Sequence, residues 1–146
     1  MIEEDYVSFE TAKLLKEKGF NEKCNYVYMW TGNIVAAQYF MEGESFVDNE
    51  DIDAVAKYNE WIIYTQGEYA YLCPTIQRAM KWLRKEHFLH VHIGYDDLDW
   101  FWDIMYVSPE VPVEDRPEFV KEGFSRHKEY EDAALEGIKY CLENLI

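Results

Sequence analysis

The chain has 146 residues, 49% of them hydrophobic and 17% aromatic, a length and composition that suit a folded domain with a real core and exclude an acidic disordered tail. Against 14 Lys plus Arg stand 29 Asp plus Glu, a formal net charge of -15. A surface so acidic repels phosphate backbones and anionic lipid, which excludes ordinary DNA, RNA or membrane-surface binding and makes a basic protein the natural partner, unless the charge serves solubility alone.

A first helix is predicted over residues 8–18. Ser8 suits the N-cap, and Phe9, Ala12 and Leu15 recur at helical spacing with Leu14 widening the stripe. Gly19 then fits the left-handed C′ position and Phe20 the C″ position, where a Schellman ending brings it back toward Leu15.

Tyr26 to Trp30 alternates, Thr31-Gly32-Asn33 signals a turn, and Ile34 to Phe40 is a second β-prone run, so a hairpin is expected. From Met41 to Ala56 the acidic residues Glu42, Glu44, Asp48, Glu50, Asp51 and Asp53 appear with no Lys or Arg among them. This reads as a loop, with a short helix near Ile52 to Tyr58, followed by strands at Trp61 to Thr65 and Tyr69 to Leu72.

A second helix begins near Pro74 and Thr75, with Ile76, Ala79, Met80 and Leu83 on one stripe and Arg78, Lys81, Arg84 and Lys85 on the other positions. Leu89, Val91 and Ile93 then alternate with His90 and His92, and Gly94-Tyr95-Asp96-Asp97 is read as the turn. Trp100, Trp102, Ile104 and Tyr106 share one face of the next strand, whose other face is also bulky, so both faces are expected to be covered. Pro109, Pro112 and Pro117 mark a loop, and Ala134, Ile138, Cys141, Leu142 and Leu145 mark a last helix that starts between Glu118 and Asp132.

These elements predict one α+β domain over 1–146, in the order αββ-(ββ)-αββα. An antiparallel sheet built from hairpins carries about three helices on one face. Cys24, Cys73 and Cys141 are odd in number, widely spaced and without a CxxC pair, which points to a reduced, cytoplasmic setting with the thiols as small hydrophobes. The start, Met1-Ile2-Glu3-Glu4-Asp5, has no apolar signal region, and no apolar run approaches the ~18 residues of a membrane span.

Three stretches carry a resemblance: Tyr6 to Phe20, Pro74 to Arg84, and Tyr130 to Ile138. Together they resemble a group of short proteins of gut bacterial genomes, phages and mobile elements, a group with no established activity. The resemblance implies a bacterial or phage cytosolic origin and carries over no functional residue.

Candidate chemistry is sparse. His90 and His92 lie two apart on a strand and so share a face, where Asp96, Asp97, Asp99 or Asp103 could complete a metal site; the competing reading is a hydrogen-bonded strand face. Cys73 sits at a helix N-terminus, which can activate a thiol, yet no His is identifiable as its base; a buried structural cysteine is the alternative. No GxGxxG, Walker loop, HExxH or GxSxG occurs. The aromatic stripe of Trp100, Trp102 and Tyr106, with Tyr26, Tyr28 and Trp30, is either core or an open binding platform.

The expectation is a non-enzymatic accessory protein without catalytic residues, cofactor or resident metal, which binds another protein, as an acidic inhibitor or immunity protein for example. The acidic surface is assigned to Glu42, Glu44, Asp48, Glu50, Asp51, Asp53, Asp96, Asp97 and Asp99, within the stretches Glu42 to Asp53 and Asp96 to Glu118. Self-association is a rival, because the basic second helix polarises the charge. The alternatives are a small metal-dependent hydrolase using His90 and His92, and a small-molecule binding module with an aromatic pocket.

Overall fold

The computed structural model describes residues 5–29, 31–36, 70–110, 112–115, 120–123 and 125–146. The chain is α+β, and its described residues form two three-stranded antiparallel sheets in place of the one sheet expected. It divides into two compact units, Tyr6–Pro74 and Met1–Asp5 with Thr75–Ile146, and each holds one sheet. The expected short helix at 52–58 and strand at 61–65 lie outside the described residues. Among the described residues no helix is long and apolar enough to cross a membrane.

In the first unit, α1 spans Phe9–Glu17. The Ser8 hydroxyl accepts from the Thr11 amide at 3.2 Å, which satisfies one of the free N–H groups of the first turn. The helix ends as its sequence requires. Gly19 takes φ +92°, its N–H donates to the Lys16 carbonyl, and the Phe20 N–H donates to the Leu15 carbonyl at 2.9 Å. That pair of bonds is a Schellman motif, and Phe20 and Leu15 are both buried.

Strand β1 (Tyr26–Met29) lies between β2 (Ile34–Ala36) and β3 (Ala70–Leu72). Gly32 carries the positive φ of the β1–β2 turn. Tyr28 faces Tyr71 across the sheet, and the Phe9 ring meets both edge-on at 5.6 and 5.7 Å. Val27, on the opposite face of β1, is fully buried.

In the second unit, α2 spans Ile76–His87, with the Thr75 hydroxyl capping the Arg78 amide at 3.1 Å. Its buried residues, Ile76, Ala79, Met80, Trp82 and Leu83, are the predicted stripe together with Trp82. The helix stops at Phe88, which takes the left-handed conformation (φ 58°) usually filled by glycine.

Strands β4 (Leu89–Asp96) and β5 (Asp99–Tyr106) pair over their full length, from Leu89 opposite Tyr106 to Asp96 opposite Asp99. The turn is therefore Asp97-Leu98, and Gly94 is not part of it, contrary to the sequence reading. Gly94 lies mid-strand opposite Phe101, whose ring occupies the space a side chain would need: a Cβ there would lie 2.2 Å from Phe101 Cζ. The glycine marks a close approach of an aromatic ring, not a bend.

Strand β6 (Lys121–Glu122) adds to the free edge of β5. Helix α3 (Tyr130–Tyr140) runs into a π-helical turn at Cys141–Leu145. Val91 and Ile104 of the hairpin, Leu83 of α2, and Ala133, Ala134, Ile138, Cys141 and Leu142 are all fully buried and form the core. Gly137 lets α3 lie close on the sheet, since a Cβ there would come within 2.6 Å of Val91 Cγ1.

Candidate functional site

The β4–β5 hairpin ends in a two-residue turn with both central residues in the left-handed region, Asp97 at φ 49° and Leu98 at φ 69°. This is the pattern of a type I′ turn, whose twist suits a hairpin but which favours Asn-Gly over bulky side chains. Asp tolerates the conformation through local hydrogen bonding. Leu does not, and its cost is about 1 kcal/mol or more. Leu98 recovers nothing by burial, being 77% exposed.

Three carboxylates surround that leucine. Asp97 precedes it, and Asp96 and Asp99 stand directly opposite each other, a like-charge pairing that opposes the hairpin. The Lys128 ammonium pairs with Asp99 and relieves part of this repulsion. Behind the tip, Tyr95 (55% exposed) lies against Trp100 with ring centroids 4.8 Å apart, and Trp100 meets Tyr130 of α3 edge-on at 5.4 Å.

The base of the tip is held by residues that spacing did not single out. His127 exchanges both backbone hydrogen bonds with Trp100, at 2.7 and 2.9 Å. Its Nε2 meets Glu136 Oε2 of α3, and the same oxygen accepts from Trp102 Nε1 at 2.9 Å. Burial works against the Glu136 charge, but the hydrogen bonds from Trp102, His127 and Ser125 outweigh it and hold the carboxyl below the usual glutamate range. The one available signal was Trp102 itself, since a buried indole N–H needs an acceptor.

His90 and His92 do share a strand face, with ring centroids 6.3 Å apart. His92 Nδ1 lies 3.5 Å from Asp103 Oδ2, its cross-strand neighbour. His90 Nδ1 is buried and has no hydrogen-bond partner among the described residues. Burial, the Arg84 charge and His92 all push the His90 pKa down, which favours the neutral form of the ring. Asp96, Asp97 and Asp99 lie at the far end of the hairpin, and among the described residues no group of three His, Cys, Asp or Glu is placed to hold a metal ion.

Cys73 is buried, and that burial pushes its thiol up to about 12, the opposite of an activated nucleophile. Cys24 and Cys141 are likewise buried thiols. Of the aromatic stripe, Trp102 is core at 4% exposure, Trp100, Tyr106, Tyr26 and Tyr28 are half-buried, and Trp30 lies outside the described residues. Glu42, Glu44, Asp48, Glu50, Asp51 and Asp53 also lie outside them. Comparisons with protein-family models, with curated proteins and with solved structures find no match.

Proposed function

We propose that this chain is a non-enzymatic protein-binding module that docks through the tip of the β4–β5 hairpin. Leu98 is the apolar anchor, and Asp96, Asp97 and Asp99 set the charge around it. The partner presents an apolar pocket rimmed by basic side chains. In this reading the protein is a cytoplasmic accessory protein of a bacterium or phage, and inhibition of a basic target is one use of such a tip.

The observation that carries the reading is the placement of Leu98. A folded chain gains nothing from a leucine that is 77% exposed and held in a left-handed turn. Strain without local compensation, at a protruding apolar residue, fits selection for contact with something else. The tip is also pre-organised. It stands on a fully paired hairpin braced by Trp100, His127 and Glu136, so little entropy is lost on docking.

Photo-leucine placed at position 98 tests this in a bacterial lysate, with a probe at exposed Val120 as control. A discrete adduct with a second polypeptide is expected from position 98 and not from Val120. No adduct, or the same adducts from both positions, overturns the reading.

A further inference from the structure

We infer that the surface read by the hairpin tip is the opposite end of the same hairpin in a second copy of this chain, an inference that rests on the tip being a docking element. Among the described residues, the non-glycine residues with positive φ are Phe88, Asp97 and Leu98. They fall at the two ends of one hairpin. Each end also exposes large apolar side chains: Leu98 and Tyr95 (77% and 55%) at the tip, Phe88 and Val107 (37% and 36%) at the base. The Val107 N–H donates to the Phe88 carbonyl at 2.9 Å, so the two base residues are neighbours and form one patch.

The charges around these two patches are complementary. The tip carries Asp96, Asp97 and Asp99. The base adjoins the last turn of α2, where Arg84, Lys85 and His87 gather at the helix C-terminus against the single Glu86. An apolar anchor ringed by carboxylates thus has, on the same chain, an apolar patch bordered by cations.

One copy cannot bring its own two ends together. They are separated by the length of eight paired residues, roughly 25 Å of extended strand. Two hairpins related antiparallel by a two-fold axis place each tip at the other's base and form both contacts at once. The result is a closed dimer and not an open chain.

The same arithmetic of charge separates a self-partner from a foreign basic one. Two copies, each of net charge -15, repel at long range, while the tip and base attract at short range. The screening length is ~30 Å at 0.01 M salt, ~8 Å at 0.15 M and ~3 Å at 1 M. Self-association is therefore strongest at intermediate salt, whereas a basic foreign partner binds most tightly at the lowest salt.

Sedimentation equilibrium of the purified full chain tests the inference, using the wild type, D97K, K85E and an equimolar mixture of the two variants. The wild type is expected to be a dimer whose affinity peaks at intermediate salt. Each variant alone should dimerise at least about tenfold more weakly, because each opposes like charges at both contacts. The mixture should recover the dimer, since the altered tip of D97K meets the altered base of K85E while the other contact is native. A wild type that stays monomeric up to about 1 mM overturns the second copy as partner. In that case an adduct from position 98 with a different polypeptide would leave the docking tip standing. A dimer indifferent to both substitutions, or a mixture no stronger than its components, also overturns the inference.

Discussion

Trp102 Nε1 donates to Glu136 Oε2 at 2.9 Å, and this one bond ties the second strand of the hairpin to the helix that covers it. The same oxygen meets His127 Nε2, so a single carboxylate holds a buried indole and the segment that braces the hairpin tip. Because the folded state depresses the Glu136 pKa, the unfolded chain takes up that proton first as pH falls. The carboxylate's contribution is complete above about pH 5, and is lost as pH drops through the glutamate range toward the depressed value. E136Q should flatten this acid limb of the stability curve, measured as thermal midpoint against pH. An acid limb unchanged in E136Q would show that other carboxylates carry it.

His90 has the opposite chemistry but the same sign of pH dependence. Its folded-state pKa is lowered by burial, by the Arg84 charge and by His92, so again the unfolded chain protonates first. Stability from keeping this ring neutral is present above about pH 6.5 and is lost as pH falls below it. R84Q removes the second of these causes and should move the His90 titration upward in an NMR pH series. An unmoved titration would leave burial and His92 to account for the shift.

The turn offers a test in which stability and association move in opposite directions. Replacing Asp97-Leu98 by Asn-Gly (D97N with L98G) supplies the residues a type I′ turn prefers and removes one carboxylate from a crowded tip. Relief of about 1 kcal/mol should raise the thermal midpoint by a few degrees. The same variant loses the apolar anchor, so adduct formation and dimerisation should both fall. A variant that is more stable and still associates fully would show that Leu98 contacts nothing.

The elements that announced themselves in the sequence did so through local chemistry. Ser8 and Gly19 bracket α1, and Thr75 opens α2, because caps act over three or four residues and leave a readable spacing. The hairpin alternation was equally legible, yet its turn was misplaced by the glycine at position 94. Glycine signals freedom for the backbone, but it also signals space taken by a neighbour, and only the cross-strand register shows Phe101 over it. The division into two sheets could not be read, since which strands pair is decided by contacts far apart in sequence.

The tip carboxylates Asp96, Asp97 and Asp99 were visible as charge, while Leu98 beside them was not singled out. An exposed leucine looks like any other until its burial and φ are known. His127 and Glu136 lay hidden for a different reason. They are nine residues apart, and Trp102 is 34 residues from Glu136, separations that match no motif.

Gly137 sits where α3 crosses the hairpin, and its missing side chain sets how closely helix and sheet approach. A Cβ at this position would lie 2.6 Å from Val91 Cγ1 and 3.4 Å from Trp102 Cγ, and both neighbours are buried. G137A gains helix propensity of about 1 kcal/mol, but the added methyl forces displacement in a close-packed core, at a cost of about 1–3 kcal/mol. The net expectation is a destabilised protein in denaturant titration. Because the clash is with one valine methyl, V91A should relieve it, and the double variant should be less destabilised than the two single effects sum to. Strict additivity would mean that the helix shifts along the sheet and that Val91 is not what limits its approach.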